Sequence, residues 1–269
     1  MTTLRLILWC DGVHDPAENM RRDAALLAAA RAGAAPVLRL FAFAPHGITL
    51  GANQAPEREL DLARCAADGV PWAVRPTGGR AIFHAEEWTY ALAMPLGPGG
   101  WEREPSAAYG WISALMAASL ARLGVPAGLE AGHARGARTR PRAREGPAAP
   151  CFASTARHEV VLEGRKLVGS AQRRLDRALL QQGSVLLGPG HLRLTDYLAL
   201  PDTQRRSTRE ALELASASAA PWLGPTPPIE RWADAIAAEL APGSVRVEGS
   251  SGAFLLTGSG NGSYTPPFA

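Results

Sequence analysis

The sequence predicts an α+β fold in which a central mixed, mainly antiparallel sheet is flanked by helices. Three observations predict it. Short apolar runs of strand character alternate with longer stretches of helical spacing along the chain, without an internal repeat. The run Val160-Val161-Leu162, the turn pair Glu163-Gly164, the run Lys166 to Arg174 and then Leu179 to Leu187 read as three consecutive strands joined by tight turns, a spacing that suits antiparallel pairing. With 269 residues, 46% of them hydrophobic, the chain can bury one full core.

Each element has its own local reason. Leu4 to Trp9 reads as a strand, and Asp15-Pro16 as the N-cap and first-turn proline of a helix through about Arg31. Val37 to Phe43 and Ile48 to Gly51 read as strands. Glu57 to Asp68 has helical spacing, with Leu60, Leu62 and Cys65 near one face, which makes Cys65 a small core residue rather than a reactive one. Trp72 to Val74 is a short strand leading into Pro76-Thr77-Gly78-Gly79-Arg80, and Ala81 to Phe83 and Trp88 to Met94 are strands beyond it. Pro105 to Leu123 is the longest helical run, and Pro227 to Leu240 carries Ile229, Trp232, Ile236 and Leu240 at the spacing of a packing helix. Two stretches lack any period. His133 to Pro150 holds five arginines among Gly, Ala and Pro and is expected to be a mobile basic loop, and the Gly- and Ser-rich tail from residue 249 is expected to be disordered.

Composition removes several classes of function. A formal net charge of +3, with no interleaving of aromatic and basic residues, gives no ground for a nucleic-acid partner. No apolar stretch approaches the roughly 18 residues of a membrane span, and Leu4 to Trp9 is too short for the apolar region of a signal peptide, so a soluble cytoplasmic protein is expected. Cys10, Cys65 and Cys151 are odd in number and far apart, with no CxxC pair, which argues for reduced thiols and against a metal site.

The chemistry concentrates in two blocks. Of the 28 Lys and Arg residues only Lys166 is a lysine. Arginine replaces lysine wherever a solvated charge suffices, but it neither gives up its proton nor shrinks to a compact ammonium, so a lysine that survives such a drift points to a site needing one or the other. It lies in Gly164-Arg165-Lys166-Leu167-Val168-Gly169-Ser170-Ala171-Gln172, fifteen residues beyond Cys151, where a nearby ammonium would favour the nucleophilic thiolate. The other block is Arg75-Pro76-Thr77-Gly78-Gly79-Arg80-Ala81-Ile82-Phe83-His84, in which paired glycines between strands let backbone amides approach a ligand.

These blocks, with Leu38-Arg39-Leu40-Phe41, Ile48-Thr49-Leu50-Gly51, Gln54 and Gln181-Gln182-Gly183-Ser184, resemble the lipoate-protein ligase and octanoyltransferase family, which shares its catalytic domain with biotin-protein ligases. The resemblance covers roughly residues 38–187. It implies a class II synthetase-like catalytic domain over residues 1–248, with helices over 191–241 and the tail at 249–269 outside it. Cys151-Phe152-Ala153-Ser154, followed by Glu159 and the lysine motif, is similar to the monomeric octanoyltransferases, in which this cysteine carries the acyl group. The C-terminal region also looks too short for the second domain of the ligases.

What the resemblance implies is a two-step octanoyl transfer, from acyl carrier protein to Cys151 and then to a lysine of a lipoyl domain, such as glycine cleavage H protein or the E2 subunit of a 2-oxoacid dehydrogenase. Cys151 and Lys166 would be catalytic; Arg75, Thr77, Gly78, Gly79, Arg80, Ala81 and His84, with Gly169, Ser170, Ala171 and Gln172, would bind the acyl substrate. No cofactor or metal is required beyond the acyl carrier protein thioester. An ATP-dependent lipoate ligase, an amidotransferase between lipoyl domains and a non-catalytic binding module are the alternatives. Three positions depart from the family pattern: Ala85 follows His84 in place of aspartate, Val74 precedes Arg75 in place of a second arginine, and Gln182 replaces a histidine.

Overall fold

The computed structural model describes residues 4–97, 105–130, 159–224 and 227–256. In chain order the first half comprises β1 (Ile7–His14), α1 (Pro16–Arg31), β2 (Val37–Phe43), β3 (Gly47–Leu50), α2 (Pro56–Glu59), α3 (Leu62–Ala67), β4 (Trp72–Val74), β5 (Ile82–His84), β6 (Glu87–Pro95) and α4 (Pro105–Arg122). The second half comprises β7 (Gly128–Leu129), β8 (Val160–Leu162), β9 (Arg165–Arg174), β10 (Ala178–Leu186), α5 (Leu194–Tyr197), α6 (Asp202–Ala215), α7 (Ala220–Leu223), α8 (Ile229–Ala237) and β11 (Val245–Glu248).

Eight strands form the central sheet in the order β11-β1-β2-β6-β10-β9-β8-β7, and β4-β3-β5 form a smaller one. In the large sheet β1 runs parallel to β2 and β11, while every other neighbouring pair is antiparallel, so the mixed, mainly antiparallel expectation holds. One face of this sheet carries α4 and α8. There Trp88 and Trp232 stack at 5.3 Å beneath Ile112, Met116 and Leu120. The other face is covered by α1, whose Met20, Leu26, Leu27 and Ala30 pack on Trp9, Phe41, Phe43 and Leu180. Helix α1 starts as its sequence dictates: the Asp15 carboxylate accepts from the Glu18 amide at 2.8 Å, and Pro16 fills the first turn.

Trp232 is fully buried, and its indole nitrogen donates to Ser119 Oγ at 3.0 Å, tying α8 to α4. Replacing it by alanine is expected to cost about 3–5 kcal/mol of unfolding free energy. Denaturant titration with an unchanged slope checks this, and a loss below about 1 kcal/mol would refute the packing role.

Several expectations shift. The first strand runs Ile7–His14 rather than Leu4 to Trp9, because β1 is interior, paired on both sides, and passes a bulge at Gly12 (φ 86°) to continue along β2. The helix expected over Glu57 to Asp68 is broken into α2 and α3. Leu60 between them is extended and bridges Leu198, while Asp61 caps α3 by accepting from the Arg64 amide at 3.0 Å. Cys65 is buried in the core of the small sheet, as its helical position implied. The tail expected to be disordered from residue 249 begins instead with a 3-10 helix, Gly249–Leu256, because the Trp9 indole donates to Gly249 O at 2.9 Å and the Gly252 backbone lies flat against that ring. Residues 257–269 lie outside the described residues, as do the arginine-rich stretch 133–150 and Cys151.

Candidate functional site

The β8–β9 hairpin turns on Glu163 and Gly164, both at positive φ (51° and 72°), the left-handed pair that a two-residue hairpin turn demands. That turn lays Lys166 opposite Val161, and a register shift between Val160 and Val161 lets its side chain reach back to Glu159. Lys166 Nζ donates to Glu159 Oε1 at 2.6 Å, with the two side chains only 3% and 5% exposed. A buried ammonium needs such a partner, since its desolvation would otherwise cost several kcal/mol. The Lys166 backbone is fixed as well, its carbonyl accepting from the Ala217 amide at 2.9 Å.

Three residues further along the same strand, Gly169, Ser170 and Ala171 wall a cavity of about 30 Å³. Facing them are Gln182, Gly183 and Ser184 of β10, with Thr49 and His84 from the small sheet and Arg75 just beyond β4. The loop between β4 and β5 crosses close to this strand: a Cβ on Gly79 would lie 3.5 Å from that of Ala171, and Arg173 Nη1 donates to Pro76 O at 2.9 Å. Two predicted blocks, distant in sequence, thus meet at one cavity.

Arg75 brackets that loop from beneath. Its Nη2 donates to the carbonyls of Gly78 and Arg80, both at 2.8 Å, its Nε also reaches Gly78 O, and its Nη1 reaches the Thr49 carbonyl at 3.2 Å. Gly79 sits at φ 91°, and a side chain at Gly51 would collide with its carbonyl, so the turn admits no larger residue at either place. Thr77, fully buried, donates to Gln182 Oε1 at 2.7 Å, and Gln182 Nε2 passes the connection on to Asp23 Oδ2 at 2.5 Å. Burial pushes the Asp23 carboxyl upward, opposed by the Arg39 guanidinium bound to it at 2.7 Å.

His84 is held on three sides. Its Nδ1 donates to Glu87 Oε1 at 2.5 Å, its Nε2 meets the Thr49 hydroxyl at 2.7 Å, and its ring stacks on Phe43 at 3.9 Å. Of the remaining predicted substrate-binding residues, Ala81 packs into the core of the small sheet, away from the cavity. Gln172 donates to Gln181 Oε1 at 3.0 Å, part of a polar ladder that continues through Tyr90 to Ser170 on the sheet's other face. Neither is among the cavity-lining residues. Glu159, Thr49, Glu87, Asp23 and Met20 were assigned no role from sequence. For Glu159 a signal existed, because the turn at 163–164 folds residue 166 back toward it.

Among the described residues, no group of His, Cys, Asp and Glu side chains could hold a metal ion, and no helix is long and apolar enough to cross a membrane.

Comparison with known proteins places this architecture. Over 258 residues the chain is 33% identical to the octanoyltransferase LipM of Kyrpidia tusciae, an alignment that covers 92% of each. It is 39% identical over 181 residues to that of Moorella thermoacetica, covering 65% of this chain and 63% of the relative. The bipartite lipoate protein ligase of Thermoplasma acidophilum shares the fold, with a TM-score of 0.66 at 18% identity over 94% of this chain and 91% of that one. A lipoate-protein ligase A structure bound with ATP does so at a TM-score of 0.63 and 18% identity, over 94% and 93%. The family described as lipoyl protein ligase A/B catalytic domain matches residues 15–241, and with a relative a third identical along nearly the whole length, the chain belongs to that family.

Proposed function

We propose that the chain is an octanoyltransferase of protein lipoylation that carries its acyl group as a thioester on Cys151, accepting it from acyl carrier protein and passing it to a lysine of a lipoyl domain. The observation that carries the reading is Lys166: the chain's one lysine is buried, ion-paired to Glu159, and placed on the strand whose next residues wall the cavity. The octanoyl group comes from relatives bearing that activity in their name, and the lipoyl-domain acceptor from the family.

The cysteines support the same assignment. Burial pushes the Cys10 thiol up to about 11 and raises that of Cys65, so both remain protonated at neutral pH and shielded from any substrate. Cys151 is the third of the chain's cysteines.

In the first step the Cys151 thiolate attacks the octanoyl carbonyl; a new C–S bond forms, the donor's C–S bond breaks, and the carrier thiolate leaves to take up a proton. In the second, the acceptor amine attacks the acyl-enzyme, a C–N bond forms, Cys151 departs, and the proton lost by nitrogen neutralises a thiolate. Lys166 supports both. The Lys166 ammonium, held at this position by Glu159, brings a positive charge and N–H donors that can stabilise a neighbouring thiolate or the oxyanion. The Glu159 carboxylate fixes that ammonium in place.

Incubating the protein with octanoyl-acyl carrier protein, without ATP, tests the reading by intact mass. A hydroxylamine-labile octanoyl adduct, absent from Cys151→Ala, is the expected result. No adduct, together with ATP-dependent acylation of a lipoyl domain by Cys151→Ala, would replace the transferase by a ligase.

A further inference from the structure

We infer that Met20 is the gate of the acyl cavity: its side chain moves to admit an acyl chain and thereby sets the chain length accepted. The inference rests on the transferase reading only for the identity of the ligand. Its starting point is a mismatch of size. A cavity of about 30 Å³ holds one or two water molecules, and an octanoyl chain is several times larger. Some part of the wall must therefore yield when the chain enters.

Most of the wall is pinned. Gly169 to Ala171 and Gln182 to Ser184 belong to paired ladders of β9 and β10. Phe43 is stacked on His84, which is held at both ring nitrogens. The Phe41 ring lies 3.9 Å beneath the Arg39 guanidinium, itself bound by Asp11 and Asp23 at 2.7 Å each. Ile82, β-branched and on β5, packs into a separate cluster with Leu186, Leu192 and Leu212.

Met20, which lines the same cavity as Phe41, Phe43 and Ile82, differs from all of these. It is an unbranched side chain with three rotatable bonds, and its one polar contact is the Gln182 amide at 3.5 Å from the sulfur. The helix beneath it cannot move in its place. On one side Asn19 donates to the carbonyls of His14 and Ala42, both at 3.0 Å, and on the other Asp23 is tied to Arg39 and Gln182. With α1 clamped on either side of residue 20, the compliant group at this wall, among the described residues, is the thioether itself. How far it can swing fixes how much volume opens.

The test compares wild type with Met20→Ala, Met20→Leu and Met20→Phe, using hexanoyl-, octanoyl-, decanoyl- and dodecanoyl-acyl carrier protein as donors. Calorimetric binding of the free fatty acids of the same lengths gives a readout that needs no transfer. For Met20→Ala the ratio of dodecanoyl to octanoyl kcat/KM is expected to rise about tenfold, and the fatty-acid affinities to shift the same way. Met20→Phe is expected to favour hexanoyl over octanoyl by about tenfold relative to wild type. Met20→Leu, which nearly conserves volume, is the control that keeps the octanoyl optimum, and Met20→Phe carries the test where the alanine variant does not fold. Length ratios within twofold of wild type in Met20→Ala and Met20→Phe, by both readouts, would overturn the inference, as would a wild type that binds no fatty acid. A wild type that binds octanoate but transfers nothing would sink the transferase reading alone, and the binding profiles of the variants would then decide the role of Met20.

Discussion

Replacing Cys151 by alanine is expected to lower octanoyl transfer by at least about a thousandfold while leaving the unfolding transition where it was. The size of the effect follows from the division of labour. Without a nucleophile on the enzyme, the acceptor amine would have to attack the donor thioester directly, with both carriers held at one site at one time. Serine at the same position is the sharper probe. A serine hydroxyl is a far weaker nucleophile than a thiolate, and the oxygen ester it forms resists aminolysis, so Cys151→Ser is expected to acylate slowly and then stall as a stable ester. Single-turnover kinetics with intact-mass detection would register that accumulation. Cys151→Ala retaining more than about a tenth of wild-type transfer without ATP would rule out the thioester route.

The second large effect concerns the Glu159–Lys166 pair, and it separates stability from chemistry. Removing one partner strands the other as a buried charge, so Glu159→Leu and Lys166→Met are each expected to cost about 3–5 kcal/mol of unfolding free energy. Removing both leaves neither member of the pair as a stranded charge. The double variant is expected to regain most of the loss, because two well-packed apolar side chains can replace a buried ion pair at little cost. Transfer activity should not return with it, since Lys166 is still missing. Chemical denaturation of the four proteins gives the cycle, and the octanoyl-transfer rate gives the second axis. Additive losses in the double variant would mean that the 2.6 Å contact is incidental, and recovery of transfer along with stability would remove Lys166 from the mechanism.

Much of this arrangement was legible in the sequence, for reasons that differ from element to element. Helix α1 was readable because Asp15 and Pro16 are local signals that need no tertiary help, and the β8–β9 turn because Glu163-Gly164 must adopt positive φ. Break points imposed from afar were not readable: nothing near Leu60 reveals that Leu198, on another element, will pull it into a bridge and divide the helix. The same holds for the tail, whose first turn is ordered by a tryptophan some 240 positions earlier in the chain. At the site, the motif residues were visible as types but their partners were not. Arg75 reads as a ligand-binding charge, and in the fold it lines the cavity while also donating to the carbonyls of Gly78 and Arg80. Asp23 and Met20 sit in a helix whose sequence carries no chemical signal, and they become neighbours of the cavity residue Gln182 only when β10 is laid against it.

An arginine excess makes a surviving lysine conspicuous, and by the same token it camouflages the arginines that could never have been lysines. Arg75 feeds carbonyls at positions 49, 78 and 80 from three different nitrogens, a planar geometry that a single ammonium cannot imitate. Arg39 likewise divides its nitrogens among Asp11, Asn19 and Asp23. Arg21, by contrast, reaches only Glu18 from an exposed helix face. Conservative Arg-to-Lys exchange would therefore act as a stain, invisible at positions like 21 and vivid at 39 and 75, separating arginines that inheritance merely allowed from those the architecture requires.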